Sequence, residues 1–584
     1  MTNRQNETGA LVQSLRLWPG VAIAVVILLI RFVIPYFVPE FMMYGALAGL
    51  LGGLLVMLWW VFFSRAPRAD RWGGTLFMIA ALFGTHFLLH ESVATSGMGM
   101  MYLIYALPIL SMAFVVWAVA CRGLPEGPRR VTMVATILLS CGVWIMLRTD
   151  GVTGEGSAEL SWRWVPSSEE QFLAKTDNGP TASADSPTLV IEADWAGFRG
   201  SARNGIVTGL QIETDWSASP PQELWRREMG PSWSSFAVGG DFLYTQEQRG
   251  ENEVVLCYKV STGEPVWRHD DAARFWESMA GAGPRATPTL NKGRIYSLGA
   301  TGIVNALDAG TGSLVWTRNA ATDTGAELPI WAYSGSPLVV DDLVIVAASG
   351  SLVAYDAASG EPRWTGPKGT VSYSSPQLLT IDGVAQILLS RGSGVSSLAP
   401  ADGKLLWEHA YPGEPIVQPA LTADGDVLVS AGQGKGLRCL SVTHGSGEWQ
   451  VTERWTASGF KPYFNDYSVH KNHAFGYDGS ILACTNLEDG TRKWKGGRYG
   501  GQLILLADQD LLLILSERGD LVLVSAKTDQ LTEVARVPAI KGKTWNHPVL
   551  VGDILLVRNG QEMAAFRLSL AEGSREVSTR ASKR

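Results

Sequence analysis

Cysteine is scarce, and so is any excess of positive charge. The 584 residues include five cysteines, none in the Cys-x-x-Cys-His spacing that attaches haem and none adjacent to another, which excludes a c-type haem and a vicinal disulfide. Lysine and arginine (48) are outnumbered by aspartate and glutamate (55), and the net charge of -7 gives no electrostatic basis for binding nucleic acid. Basic residues are missing altogether from two short loops, around Glu40 and from Glu91 to Ser96.

Long apolar runs are present. They occupy 18–38, 41–63, 73–90, 98–121 and 131–147, each near the length that crosses a hydrocarbon core of about 30 Å, and predict five transmembrane helices. Arg4 and Arg16 precede the first, Arg65, Arg68 and Arg71 follow the second, and Arg122, Arg129 and Arg130 follow the fourth. Against the two uncharged loops, this places the N-terminus in the cytoplasm, and an odd number of crossings delivers the rest of the chain outside. The first run is too long for a signal peptide and lacks a small-residue cleavage site, so it is expected to be retained. Arg31 lies within it, and His86 and His90 stand one helical turn apart near the end of the third run. Ionisable groups at membrane depth are functional candidates, beside the plainer readings of helix pairing for Arg31 and an interfacial position for the histidines.

The remainder has a period. Gly263/Trp267, Gly312/Trp316, Gly360/Trp364, Gly403/Trp407, Gly445/Trp449 and Gly490/Trp494 repeat with tryptophan intervals of 49, 48, 43, 42 and 45 residues, the mark of stacked supersecondary units. In the clearest copies, Asn305 to Trp316 and Val353 to Trp364, an apolar strand turns through an Asp/Ser/Thr/Gly loop into a strand carrying the indole. Such a hairpin lets Asp bond its own turn and Gly take positive φ. Pro288, Pro337, Pro376, Pro419 and Pro548 open inner strands, where the first residue needs no ladder N–H. Inner strands near Phe236, those five prolines, Tyr467 and Ile504 make an all-β propeller of eight blades. The eighth lacks its own tryptophan strand, and Trp225, 42 residues before Trp267, has no preceding partners; it is expected to close the ring and remove the open sheet edge. Cys257, Cys439 and Cys484 each lie six residues before a repeat glycine, where other units have Ala306, Ala354 and Ser397. They are read as fillers of one small-residue niche, too far apart to be bridged.

These units, with the lead-in Asp194-Trp-Ala-Gly-Phe-Arg-Gly200, resemble the bacterial pyrroloquinoline-quinone-like (PQQ-like) propeller repeats over about Asp194 to Leu570. The resemblance implies that each tryptophan docks against a glycine of the adjoining blade. It also implies two functions, because the family includes quinoprotein dehydrogenases and a scaffold propeller of outer-membrane protein assembly, and one fold hosts unrelated functions. The expected division is a transmembrane domain at 1–149, a linker at 150–193, the propeller at 194–570 and a basic, disordered tail at 571–584. The setting is a bacterial inner membrane with the propeller in the periplasm. Within the linker, the aromatic segment from Trp162 to Phe172 either packs on the propeller or lies at the membrane interface.

Ligand sites favour concave axial positions with convergent polar groups, and the segments entering the inner strands concentrate them: Trp233, Arg285, Trp331, Tyr333, Tyr373, Lys461, Tyr463, Asn465, Arg498, Tyr499, Trp545 and His547. With Phe275 and Trp276 from the loop after Asp271, they form a candidate partner-binding rim of stacking rings and carboxylate-binding cations. Channel plugging by bulky side chains is the plainer reading of any single ring. The preferred function is a binding scaffold for a protein or exported polymer, with no cofactor or metal expected. The alternative is a PQQ-dependent dehydrogenase that oxidises a sugar or alcohol and passes electrons to membrane quinone; membrane quinoprotein sugar dehydrogenases are similar in having five N-terminal spans before an eight-bladed propeller. It would need a basic Asp, calcium held by carboxylate and amide oxygens, and cations over the cofactor. Asp466 is the candidate base, Asp270 and Asp271 its competitors, Asn465 and Asp466 the oxygen donors, and Arg285, Lys461 and Arg498 the cations. No catalytic Asp maps onto a family motif, and about 375 residues leave little room for the inter-blade excursions that roof such sites.

Overall fold

The computed structural model describes residues 15–571 apart from 39–40, 155, 176–190, 433 and 446. The expectations for Arg4, Glu40, part of the linker and the tail from 572 lie outside the described residues. The chain forms two compact units, 1–166 with 278–280, and the remainder from Ser167 onward.

The second unit is a propeller of eight blades. Its inner strands are Ala237–Gly239, Thr289–Asn291, Leu338–Val340, Gln377–Ile381, Ala420–Leu421, Ser468–His470, Gln502–Leu506 and Val549–Val551, which number blades one to eight. Five of them start on the residue after a predicted proline. Middle strands are mostly buried, and Leu511–Leu515 is apolar throughout and wholly buried, because sheets cover both faces. Outer strands alternate, burying only the indole side, as Trp316 does within Leu314–Asn319. The ring closes as expected: Gln222–Glu228 pairs antiparallel with Glu562–Arg567, Trp225 opposite Ala565.

The repeat is a contact between blades. A Cβ on Gly263, Gly312, Gly360 or Gly403 would lie 2.4–2.7 Å from the indole of Trp225, Trp267, Trp316 or Trp364 respectively, so only hydrogen fits. The Trp267 and Trp316 indoles donate to the carbonyls of Ala309 (2.9 Å) and Ala357 (3.1 Å) in those same turns. Opposite the outer-strand tryptophans Trp267, Trp316, Trp364, Trp407, Trp455 and Trp494 stand Cys257, Ala306, Ala354, Ser397, Cys439 and Cys484. This is the small-residue niche, and its thiols are free.

The fifth blade corrects the repeat. Gly445 and Trp449 sit at the end of a long hairpin, Leu437–Gly445 and Glu448–Ala457, and nothing lies within 4 Å of a Cβ at Gly445. Gly490 instead receives Trp455, at 2.7 Å, six residues beyond the expected position. Trp449 stacks on His444 with centroids 4.5 Å apart and packs against the cluster around Trp407. The Trp407 indole donates to Gln386 Oε1 in its own blade (2.7 Å), unlike the indoles that reach the next blade's turn.

In the first unit, four stretches are long and apolar enough to cross a membrane: Trp18–Phe37, Tyr44–Phe63, Met101–Ala120 and Glu126–Met146. The third expected span forms a helix, Arg68–His86, but its first turn carries Arg68, Asp70 and Arg71, so it falls short of the others in apolarity. Its Leu76, Ile79 and Phe83 are nevertheless exposed. The basic loops gather at one end of the bundle, where buried Asp70 accepts from Arg129 Nη2 (2.8 Å) and Arg130 Nε (2.6 Å). At the other end Thr149 N–H donates to Ser92 Oγ (2.9 Å). There Ser92 N–H donates to His90 Nδ1 (3.2 Å), which caps the short helix Glu91–Thr95.

The aromatic linker segment is divided. Trp162 and Trp164 stack 5.0 Å apart and are exposed, and the backbone between them is held by the Met146 carbonyl. The helix Ser168–Lys175 belongs to the second unit: Phe172 is buried beneath the Arg249 guanidinium, and Glu169 accepts a bidentate pair from Arg274 at 2.7 and 2.9 Å.

Candidate functional site

The strand-entry segments bring their rings together. Trp233 meets Trp545 (4.8 Å between centroids), Trp545 meets Phe464 (4.9 Å), Phe464 meets Tyr463 (5.9 Å), Tyr463 meets Trp331 (6.4 Å) and Trp331 meets Tyr373 (4.9 Å). They enter blades one, eight, six, three and four, so the chain of rings runs across the mouth of the propeller. All are half-buried except Tyr373, which is buried. Lys543 Nζ stands over Trp545 at 4.5 Å and Trp233 at 5.4 Å, and the Trp545 indole donates to Glu517 Oε1 (2.7 Å). The mouth is thus an aromatic floor with one cation above it, a surface that suits stacking and edge contacts. Phe464, Lys543 and Glu517 were not among the candidate residues; the first two lie in the strand-entry segments, while Glu517 follows a strand of blade seven, where nothing in the local sequence marks it.

Below the rim the channel is filled by the chain itself. Trp195 bridges Val238 of blade one. Leu290 of blade two donates its N–H to Ala196 O (2.8 Å). Arg203 donates to the carbonyls of Ser336 (3.0 Å) and Pro337 (2.8 Å) at blade three, Gln377 of blade four donates to Ala202 O (3.3 Å), and Arg199 donates to Tyr467 O at blade six. Ile206 then pairs in parallel with Leu505 of blade seven, and Phe198 sets its ring edge-on to His547 of blade eight (4.9 Å). One segment therefore touches seven blades. Gly197 makes the close approach possible: a Cβ there would lie 2.7 Å from Pro288 O.

This plug engages the candidate base. Asp466 is 3% exposed, with Oδ1 3.3 Å from Arg199 Nη1 and Oδ2 3.0 Å from His547 Nε2. Burial alone would raise its carboxyl, but Arg199 and His547 outweigh it and hold the group below the ordinary range. Burial pushes the His547 imidazole below its usual value, against the pull of Asp466. Asn465 Nδ2 donates to Gly500 O (2.8 Å) and Gly501 O (2.7 Å). Among the described residues no group of three or more His, Cys, Asp or Glu is placed to hold a metal ion. The residues at the axis do not fit a PQQ–calcium site: the acid is paired with Arg199 of the plug and the amide ties two backbone carbonyls.

The other candidates lie apart from the rim. Arg285 stacks over buried Phe275 at 5.0 Å, 3.2 Å from Glu277, in a closed knot beside the short hairpin that Trp276 begins. Tyr333 donates to Ala326 O (2.9 Å) and Tyr499 to Glu533 Oε2 (2.7 Å), both buried between blades. Lys461 is 3.7 Å from Asp478, and Arg498 donates to Ser480 Oγ (2.8 Å). Asp270 pairs with Arg268 at 3.2 Å, and Asp271 accepts from Asn305 Nδ2 (2.6 Å).

A protein-family model (PQQ_2) described as outer membrane protein assembly factor BamB matches residues 217–394 and 391–583, the stretch that carries the blade-to-blade tryptophan contacts. The chain belongs to this PQQ_2 family. Outer membrane protein assembly factor BamB of Burkholderia pseudomallei is 31% identical over 172 residues, 28% of this chain and 42% of that protein. Quinohemoprotein alcohol dehydrogenase of Comamonas testosteroni is 31% identical over 121 residues, 19% of this chain and 16% of that protein. The match thus spans less than half the length of each of these two curated relatives. Among solved structures, BamB from Moraxella catarrhalis has a TM-score of 0.42 at 15% identity, over 59% of this chain and 99% of that one. The Comamonas dehydrogenase gives 0.47 at 14%, over 66% and 81%.

Proposed function

We propose that this PQQ_2 chain is a membrane-anchored binding scaffold whose aromatic rim holds a protein or exported polymer outside the cytoplasmic membrane. The observation that carries the reading is the plug: with Asp466 paired to Arg199 and the axis crossed by the chain itself, the aromatic mouth, floored by Trp233, Trp545, Phe464, Tyr463 and Trp331, is a surface for binding rather than turnover. Half-buried indoles and phenols are the side chains that dominate binding hot spots. The relatives named as assembly factors fit the same use.

The membrane unit supports an inner-membrane anchor with a cytoplasmic N-terminus. Arg68–His86 starts beside Arg129 and Arg130, and the segment after it meets Thr149 at the opposite end of the bundle. Its 19 residues span about 28 Å at about 1.5 Å each. With the four candidate spans, that path supports a reading of five crossings with the propeller on the periplasmic side.

The test is a photo-crosslinking amino acid placed at Trp331 or Trp545 in the full chain, in native membranes. Discrete adducts are expected from those two positions and not from exposed Leu314 on the outer edge of blade two. Purified protein incubated with PQQ and calcium is expected to retain no quinone absorbance. Retained quinone together with dye reduction by a sugar or alcohol would establish the dehydrogenase instead.

A further inference from the structure

Arg31 is a feature of the membrane unit that anchoring does not use. It lies within the candidate span Trp18–Phe37, is 7% exposed, and its Nε has no hydrogen-bond partner. Among the described residues no carboxylate pairs with it. A guanidinium carries five N–H donors and a permanent charge, and a cation at membrane depth without a counter-charge costs several kcal/mol on any scale.

The local backbone is built to turn this side chain inward. Pro35 stands four residues after Arg31 and has no N–H to give the Arg31 carbonyl. The helix responds with a π-helical stretch, Leu28–Val33, in which Ile34 N–H reaches back to Leu29 O. Such insertions are frequent at functional sites. The facing helix makes room: a Cβ on Gly49 would lie 3.4 Å from Arg31 Cδ and 3.3 Å from Pro108, and one on Gly45 would lie 3.4 Å from Arg31 Cα. The guanidinium then sits 4.7 Å from the Tyr105 ring and 5.6 Å from Phe32. Rings orient a cation but leave its N–H groups free to bind an anion.

We infer that Arg31 is the anion-binding residue of an intramembrane site for a phosphate group, carried by a membrane lipid. Six residues separate it from the Phe37 end of the span, about 9 Å at about 1.5 Å per residue, within reach of a headgroup phosphate drawn slightly inward along the long side chain. A fork-shaped guanidinium matches phosphate oxygens two at a time, and the Tyr105 ring fixes its plane.

The experiment is native mass spectrometry of the full chain in detergent, titrated separately with phosphatidylglycerol, an isoprenyl monophosphate, diacylglycerol and inorganic phosphate. Wild type is expected to retain a phosphate-bearing lipid and not diacylglycerol. Arg31→Met should weaken retention by about tenfold, the worth of one charge-assisted hydrogen bond; Arg31→Lys, which keeps the charge and loses the fork, should fall between. Tyr105→Leu tests the ring without touching the charge and should weaken it several-fold, so the inference stays testable if Arg31→Met fails to fold. The two lipids separate a diester from a monoester headgroup. Saturation by inorganic phosphate alone assigns the site to the free ion and overturns the lipid. Equal retention by wild type, Arg31→Lys and Tyr105→Leu, or retention of diacylglycerol, overturns the site.

Discussion

The indole of Trp267 occupies the space that a side chain at Gly312 would need, 2.5 Å from the position of its Cβ. Gly312 also has a φ of +72°, so an added methyl meets both a ring fixed between blades and an unfavourable backbone region. Gly312→Ala is expected to cost about 2–4 kcal/mol, and Gly490→Ala, against Trp455, a similar amount. Gly445→Ala should stay within about 0.5 kcal/mol because its site is open. Urea unfolding of the three variants checks the assignment of the fifth blade; equal losses at Gly445 and Gly490 would restore Trp449 as the docking residue.

Glu253 makes stability fall as pH rises. Its carboxylate is 3% exposed, between blades one and two, and accepts the Ala300 N–H at 3.0 Å. Burial, with Asp271 adding and Ala300 and Arg285 opposing, pushes its carboxyl up to about 7. Because the folded-state value lies above the unfolded one, the contribution is complete below about pH 4.5 and is lost as pH rises through 7. The loss amounts to about 3 kcal/mol. The isosteric Glu253→Gln does not titrate, so the gap between its stability and that of wild type should widen between pH 5 and 8. Unfolding midpoints at a series of pH values measure that gap, and a constant gap would show that Glu253 ionises normally.

The eight blades were legible because the glycine–tryptophan contact recurs at fixed positions along the chain, and the ring closure because Trp225 has no other unit to belong to. Period alone misassigned Trp449: Gly445 and Trp449 satisfy the four-residue spacing inside one long hairpin. The rim was legible as a class of residue. Side-chain direction was not, since neighbouring positions of extended backbone point to opposite faces, and Tyr333 and Tyr499 turn between blades while Trp331 faces the mouth. The plug was visible only as a lead-in. Its partners lie far along the chain, with Arg199 and Asp466 separated by 267 residues, and no local pattern announces such a contact. The availability of Asp466 was therefore beyond sequence reasoning, although its place beneath the rim was not.

Phe172 is the contact that holds the helix Ser168–Lys175. It is 5% exposed and lies 5.5 Å from the Arg249 guanidinium, while Glu169–Arg274 is a surface pair worth at most about 1 kcal/mol. Phe172→Ala should cost about 3 kcal/mol locally, raising amide exchange in residues 168–175 by about a hundredfold while leaving the blades unchanged. Arg274→Ala should raise it only a few-fold. The reverse order in hydrogen exchange would make the ion pair the anchor.

Arg199 and Asp466 decide whether the plug is held by charge or by packing. Removing Arg199 leaves the buried Asp466 carboxylate to the His547 imidazole, 3.0 Å away, at a cost of up to about 3–5 kcal/mol, while replacing both members of the pair with neutral residues is often tolerated. Arg199→Met is therefore expected to destabilise the propeller strongly, and Arg199→Met with Asp466→Asn to recover most of the loss. The pH dependence separates the cases further. Asp466 is held below its ordinary value in the folded protein, so its contribution is present above the unfolded value of about 3.9 and is lost as pH falls through the folded one. Wild type should lose this increment in acid, and the double variant should not. Thermal unfolding from pH 3 to 7 measures both effects. If single and double variants lose the same stability at every pH, the guanidinium serves the plug only through the bonds that it donates to the carbonyls of Tyr467 and, at 2.9 Å, Asn204, and the pairing with Asp466 contributes nothing to holding the axis closed.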